Sequence, residues 1–280
     1  MGRWTAGELL ERARAEFAPD PAANRAVPLV ERGEAPLELL RALALEERAV
    51  VAADRRAFLR LAERAAGMPR CAAYYAELAR GEEVAAARLE DFARAVGAVG
   101  GSGGDGVSGL GGGNGGGDGS GGSGSRWGRG GAGDGREGGV GPGPGSGAGA
   151  HARRADRTGD GDGDGDALRP GCQAYPAFVA WLALNAAPAG TVLALAANFA
   201  AWGGYCGRIA TGLREHYGLD DRACAFFDLF AAPSPEHERT VLAAVQEWAE
   251  AGRIDEAAVR RHGRLLRAYE AGFWDALVDG

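Results

Sequence analysis

Lysine is absent from this chain: all 31 basic residues are arginines. A Schiff-base lysine, a phosphate-gripping Walker lysine and a lysine general base are therefore excluded. Isoleucine occurs only at Ile209 and Ile254, so strand-favouring β-branched side chains are scarce. Histidine is limited to His151, His216, His237 and His262. None precedes residue 151, which leaves the first half without a proximal heme ligand, and none stands at the Glu-x-x-His spacing of a di-iron bundle. No metal and no cofactor is expected. The four cysteines, Cys71, Cys172, Cys206 and Cys224, have no C-x-x-C spacing. They read as reduced thiols rather than a disulfide frame. The start, Met1-Gly-Arg-Trp-Thr-Ala6, lacks the apolar run of a signal peptide, and a cytoplasmic location is expected. A net charge of −7 gives no broad footprint for nucleic acid.

Charge is also missing from Pro170 to Gly207. A membrane hairpin would need about 20 consecutive apolar residues per span. Pro188-Ala-Gly190 divides this run, and Asn185, Asn198, Gly203 and Gly204 interrupt it. Two central helices buried within a bundle fit better, and no membrane partner is expected.

What the chain has in excess is glycine. Of 49 glycines, 33 lie between Gly100 and Gly171. That segment is too poor in apolar residues to fold and reads as a disordered insert, 100–171. Its end, Asp160-Gly-Asp-Gly-Asp164-Gly-Asp166, has the look of a calcium loop. The twelfth position, which needs a bidentate Glu, is Gly171. About 210 residues remain, rich in Ala, Leu, Arg and Glu, enough for one core. The expected organisation is an all-α bundle whose helices at 1–99 and 172–280 belong to the same core.

Thr5-Ala-Gly-Glu8 has capping-box spacing and opens a helix to about Phe17. A Pro- and Ala-rich connection follows. A long helix is expected over Pro36–Ala65, then two more over Pro69–Ala79 and Glu82–Val99. Beyond the charge-free pair, helices are expected over Asp220–Phe230, from Ser234-Pro235 to Ala251, and from Asp255 to Leu277.

Three groups of residues bear on chemistry. In the last helix, Val259, Leu266, Tyr269, Phe273 and Leu277 form the apolar stripe, and Glu270 lies on or beside it. A carboxyl there is desolvated, which suits acid–base work; the alternative, which position alone favours, is a structural ion pair with an arginine of a neighbouring helix such as Arg208. Tyr175, Trp181, Asn198, Phe199, Trp202, Tyr205 and Cys206 occupy the charge-free helices. They form either ordinary core or the lining of a pocket for a flat heterocycle. On the long helix, Glu47 and Asp54 share a face beside Glu46.

Several motifs occur in a familiar order. The C-terminal Tyr269-Glu-Ala-Gly-Phe-Trp-Asp-Ala276 resembles the Glu-x-x-Phe-Trp-Asp signature that closes the TenA/thiaminase II family. Leu29-Val-Glu-Arg-Gly33-Glu-Ala-Pro36 is similar to that family's early turn, and Glu46-Glu47 falls where its Gln-Asp pair is expected. Leu89-x-x-Phe92-x-x-Ala-Val-Gly97 and Tyr175-Pro-Ala-Phe-Val179 look like the two ends of its central connection. The resemblance covers everything but the insert. It implies a heme-oxygenase-like fold that takes a thiamin-related aminopyrimidine in thiamin salvage, and possible homo-oligomers. It implies Glu270 for proton transfer, Glu47 for the ring's amino group, and Tyr175 and Phe230 as ligand contacts, to which the aromatic charge-free helices add Trp202 and Tyr205.

The nucleophile departs from the pattern. Trp202 stands where the family's reactive cysteine belongs, and Cys206 lies one helical turn later. Two functions follow: a divergent hydrolase using Cys206, or a pocket without a nucleophile. The second serves ligand binding, regulation or cofactor-free oxidation like that of the related PqqC proteins.

Overall fold

The structure is a computed structural model that describes residues 4–19, 24–98, 168–232, 234–252 and 254–280. All regular structure among them is helical: α1 (Ala6–Glu16), α2 (Ala26–Glu31), α3 (Leu37–Arg64), α4 (Pro69–Ala95), α5 (Pro170–Asn185), α6 (Pro188–Tyr217), α7 (Asp221–Ala231), α8 (Pro235–Glu250) and α9 (Glu256–Asp279).

Local chemistry sets most of the helix ends. Thr5 Oγ1 accepts from the Glu8 amide at 3.2 Å while Glu8 Oε2 accepts from the Thr5 amide at 2.7 Å, a reciprocal capping box. Asp220, Ser234 and Asp255 each accept from the amide three residues on, and Pro69, Pro170, Pro188 and Pro235 occupy first turns where no N–H is needed.

Three expectations need correction. The connection after α1 contains a helix, α2, opened by Asn24 Oδ1 accepting from the Val27 amide at 2.9 Å. The expected break between Ala79 and Glu82 does not occur, and α4 runs through Gly81 without interruption. A mid-helix glycine costs only about 1 kcal/mol relative to alanine, too little to end a helix whose both halves are good helix formers. The helix after the insert begins at Pro170, so Pro170 and Gly171 belong to α5. A Cβ on Gly171 would lie 2.6 Å from the Ala276 Cβ, so this glycine lets α5 approach α9. The expected disorder of 100–171 concerns residues of which 100–167 lie outside the described set.

The helices on both sides of that segment form one compact unit, with α3 packed on α4 and α5, α9 on α5 and α6, and α7 on α4 and α6. Their apolar faces make two cores. One gathers Leu10, Phe58, Leu61, Tyr74, Tyr75 and Trp248; the other gathers Leu40, Leu43, Phe92, Phe227, Trp274 and Leu277.

The charge-free run has two explanations. Residues 189–198 of α6 are buried without exception, so charge there would be desolvated on every side. On α5 one face is covered, but Trp181 and Leu184 are exposed, contrary to the expectation of two wholly buried helices. No helix among the described residues is long and apolar enough to cross a membrane.

Candidate functional site

The two cores meet around a cavity, and Tyr175 packs against both. One side is aromatic. Trp202 of α6 stacks on Trp274 of α9 (centroids 5.8 Å, planes 28° apart) and meets Phe226 and Phe230 of α7 edge-on. Phe199 and Phe273 extend this wall.

The other side is acidic. Glu47 and Asp54 of α3, Glu82 of α4 and Glu270 of α9 all line the cavity, each between 3% and 6% exposed. About 50 Å³ is open to the centres of water molecules, which for a compact space corresponds to roughly 200 Å³ of molecular volume, room for one substituted six-membered ring.

Four buried carboxyls on one cavity repel one another's charged forms and lose hydration. Burial, with Asp54, Glu270 and Glu46 nearby, pushes the Glu47 carboxyl up to about 8. Burial raises Asp54 and Glu82 well above the carboxylate range, with Asp54 and Glu47 adding to the rise at Glu82.

Glu270 differs because it has partners. Its Oε2 accepts from Asn198 Nδ2 at 2.9 Å and from Arg267 Nη1, while Asn198 Oδ1 accepts from the Tyr175 hydroxyl at 2.7 Å. Burial still outweighs these bonds and lifts Glu270 to about 7. The Trp274 indole N–H helps hold it down, yet neither Trp274 Nε1 nor Glu270 Oε1 reaches hydrogen-bonding geometry. The ion pair at Glu270 is with Arg267 of its own helix; Arg208 pairs with Glu31 instead.

By contrast, Glu47, Glu82 and Asp54 have no hydrogen-bond or ion-pair partner among the described residues. Their neighbour Glu46 is occupied, accepting from the Arg169 amide and from Gln173 Nε2, which ties α3 to the start of α5.

Of the residues singled out from the sequence, Glu270, Glu47, Tyr175, Trp202 and Phe230 line this cavity. Cys206 and Tyr205 do not. Tyr205 packs edge-on against Trp274 (centroids 5.6 Å, 74°), and Cys206 is fully buried in the second core. Burial, then Glu47 and Glu270, push its thiol well above the ordinary range, whereas nucleophilic attack needs the thiolate. Cys206 as nucleophile therefore lacks both access and ionisation. In the folded protein Cys206 is expected to resist iodoacetamide and to react after unfolding, as followed by peptide mass mapping. Rapid labelling of the native chain would put this thiol on an open wall instead.

Asn198, Asp54, Glu82, Phe226, Phe273 and Trp274 complete the site. Asp54 was legible as a same-face partner of Glu47, seven residues on. Glu82 was hidden by the expected break between Ala79 and Glu82. With α4 continuous, Glu82 falls on the buried stripe of Tyr75, Leu78, Ala85 and Leu89.

Among the described residues, no group of three or more His, Cys, Asp or Glu is placed to hold a metal ion. His262 is buried but outside the cavity, and His151 lies outside the described residues. The arrangement is thus an all-α bundle with a cavity that is acidic on one side and aromatic on the other. No family model matches the chain, and comparison with curated proteins and with solved structures finds no match either.

Proposed function

We propose that this chain binds a small amine-bearing heteroaromatic ring of the aminopyrimidine class, on a heme-oxygenase-like scaffold similar to that of the TenA/thiaminase II family and in connection with thiamin salvage. The observation that carries this reading is the set of buried carboxyls Glu47, Asp54 and Glu82, unpartnered and opposite an aromatic wall. A ring rich in N–H donors supplies the bonds these groups lack, and its π-face suits Trp202 and the phenylalanines. In this reading Glu47 accepts from the ring's amino group. Tyr175, Asn198 and Glu270 form a hydrogen-bonded relay, and Glu270, at about 7, is poised to give or take a proton near neutrality.

Hydrolysis at such a site would be acid–base chemistry with water, since no thiol lines it. The same fact favours the second reading, a binding module without turnover.

The test is calorimetric titration with 4-amino-5-hydroxymethyl-2-methylpyrimidine, with product analysis on 5-aminomethyl analogues. Saturable binding is expected. Glu47→Gln or Glu270→Gln should weaken it about ten-fold, the loss from removing a well-placed hydrogen-bond partner, and Cys206→Ala should leave it unchanged. Absence of binding in the wild type, or abolition by Cys206→Ala, would overturn the proposal. Turnover that survives Cys206→Ala but not Glu270→Gln would identify the chain as an enzyme.

A further inference from the structure

A second, larger cavity adjoins the first and shares Glu82, Phe199 and Phe230 with it. About 600 Å³ of it is open to the centres of water molecules, far more than in the inner cavity. Its floor is apolar, with Leu78 and Val241 buried and Leu229 half-buried. Charges at its rim are matched: Arg14 Nη2 bonds Glu238 Oε2 at 2.7 Å, and His237 Nδ1 bonds Glu77 Oε1 at 2.8 Å. Glu82 is the exception. It is 4% exposed and has no hydrogen-bond or ion-pair partner among the described residues.

Two glycines in this lining are unexplained by packing. Gly81 of α4 and Gly204 of α6 are helix-interior, and a Cβ on either would meet no atom within 4 Å. Glycine is less favourable than alanine at such positions, and here no close approach of helices demands it. Both line the outer cavity, and Gly81 directly precedes Glu82 on α4.

We infer that the outer cavity binds an amphiphilic primary amine, its ammonium at Glu82 between Phe199 and Phe230 and its apolar tail along the floor beside Gly81 and Gly204. Burial disfavours the charged form of Glu82, and an ammonium beside it restores that form through a charge-assisted bond, while flanking rings favour a cation further. With the rim charges already paired, most of the remaining lining that the ligand meets is apolar. The inference shares Glu82 with the ring reading of the inner cavity but needs neither Glu47 nor Glu270, so the two can fail separately.

The test uses n-hexylammonium as the probe and the full chain. Saturable binding is expected by calorimetry. Glu82→Gln should weaken it about ten-fold or more. Gly81→Leu and Gly204→Leu, with helix content and Tm preserved, should weaken it comparably by filling the tail's space, while aminopyrimidine binding in the inner cavity persists. Saturation-transfer contacts between the hexyl chain and the Val241 methyls in the wild-type protein give the answer without any substitution. No binding of hexylammonium, no Val241 contact, or affinity indifferent to both leucine variants would overturn the inference. Hexylammonium bound as described by a chain that ignores the aminopyrimidine would leave this site standing and remove the ring reading alone.

Discussion

Glu47→Gln is expected to make the protein more stable than the wild type at pH 9 and to flatten its stability profile between pH 5 and 9. The Glu47 carboxyl is raised from 4.5 to about 8 in the folded chain, so the folded state holds its proton more tightly than the unfolded state does. The stability this proton contributes is complete below pH 4.5 and is lost as pH rises through 8. Glu270, raised to about 7, acts in the same direction over a narrower window. A rise of this size corresponds to several kcal/mol, or about 10 °C in Tm for a bundle of this length. Glutamine keeps the shape and removes the titration. Thermal unfolding followed by circular dichroism across this pH range is the check. A wild-type Tm that is flat or rising from pH 5 to 9 would mean that these carboxyls are solvated or paired. The same substitution weakens the proposed ligand, so stability and binding should move in opposite directions, as expected where a site is kept at the expense of the fold.

Gly203→Ala and Gly204→Ala, at adjacent positions, should change stability with opposite signs. A Cβ on Gly203 would lie 2.6 Å from the carbonyl oxygen of Phe230, which is backbone and cannot swing aside. α7 would have to retreat, and the overpacking costs about 1–3 kcal/mol. Phe230 lines both cavities, so ligand binding should weaken as well. On Gly204 the new methyl group meets nothing within 4 Å, and the helix gains about 1 kcal/mol from losing a glycine. Urea unfolding of the two variants decides the matter. Equal effects would mean that α6 and α7 do not approach at Gly203 as closely as the structure has them.

Much of the fold was legible in the sequence. Thr5 with Glu8, Asp220, Ser234-Pro235 and Asp255 announce helix starts through groups a few residues apart, and such local chemistry acts wherever the helix later packs. α2 carried a signal too, Asn24 before Val27 and Pro28, but six residues show no periodicity to draw attention. The site was legible where a polar residue lay on an apolar stripe, as Glu270 does among Leu266 and Phe273. Glu82 carries the same kind of signal, and reading α4 as two separate helices, with the second starting at Glu82, concealed it.

Sequence alone determined that this chain is helical, where most of its helices begin, that Glu270 lies on or beside an apolar stripe and that Glu47 and Asp54 share a face. Each of those properties depends on neighbours within a turn or two. Tertiary structure alone decided that Glu47, Asp54, Glu82 and Glu270, from three helices, close on one cavity, and that Cys206 lies outside it. A helix face spans a wide arc, and which part of it meets a cavity depends on the neighbouring helices that cover the rest. Desolvation follows the same rule: the carboxyls at Glu46 and Glu47 are adjacent in the chain, yet α5 supplies partners to the first and leaves the second bare.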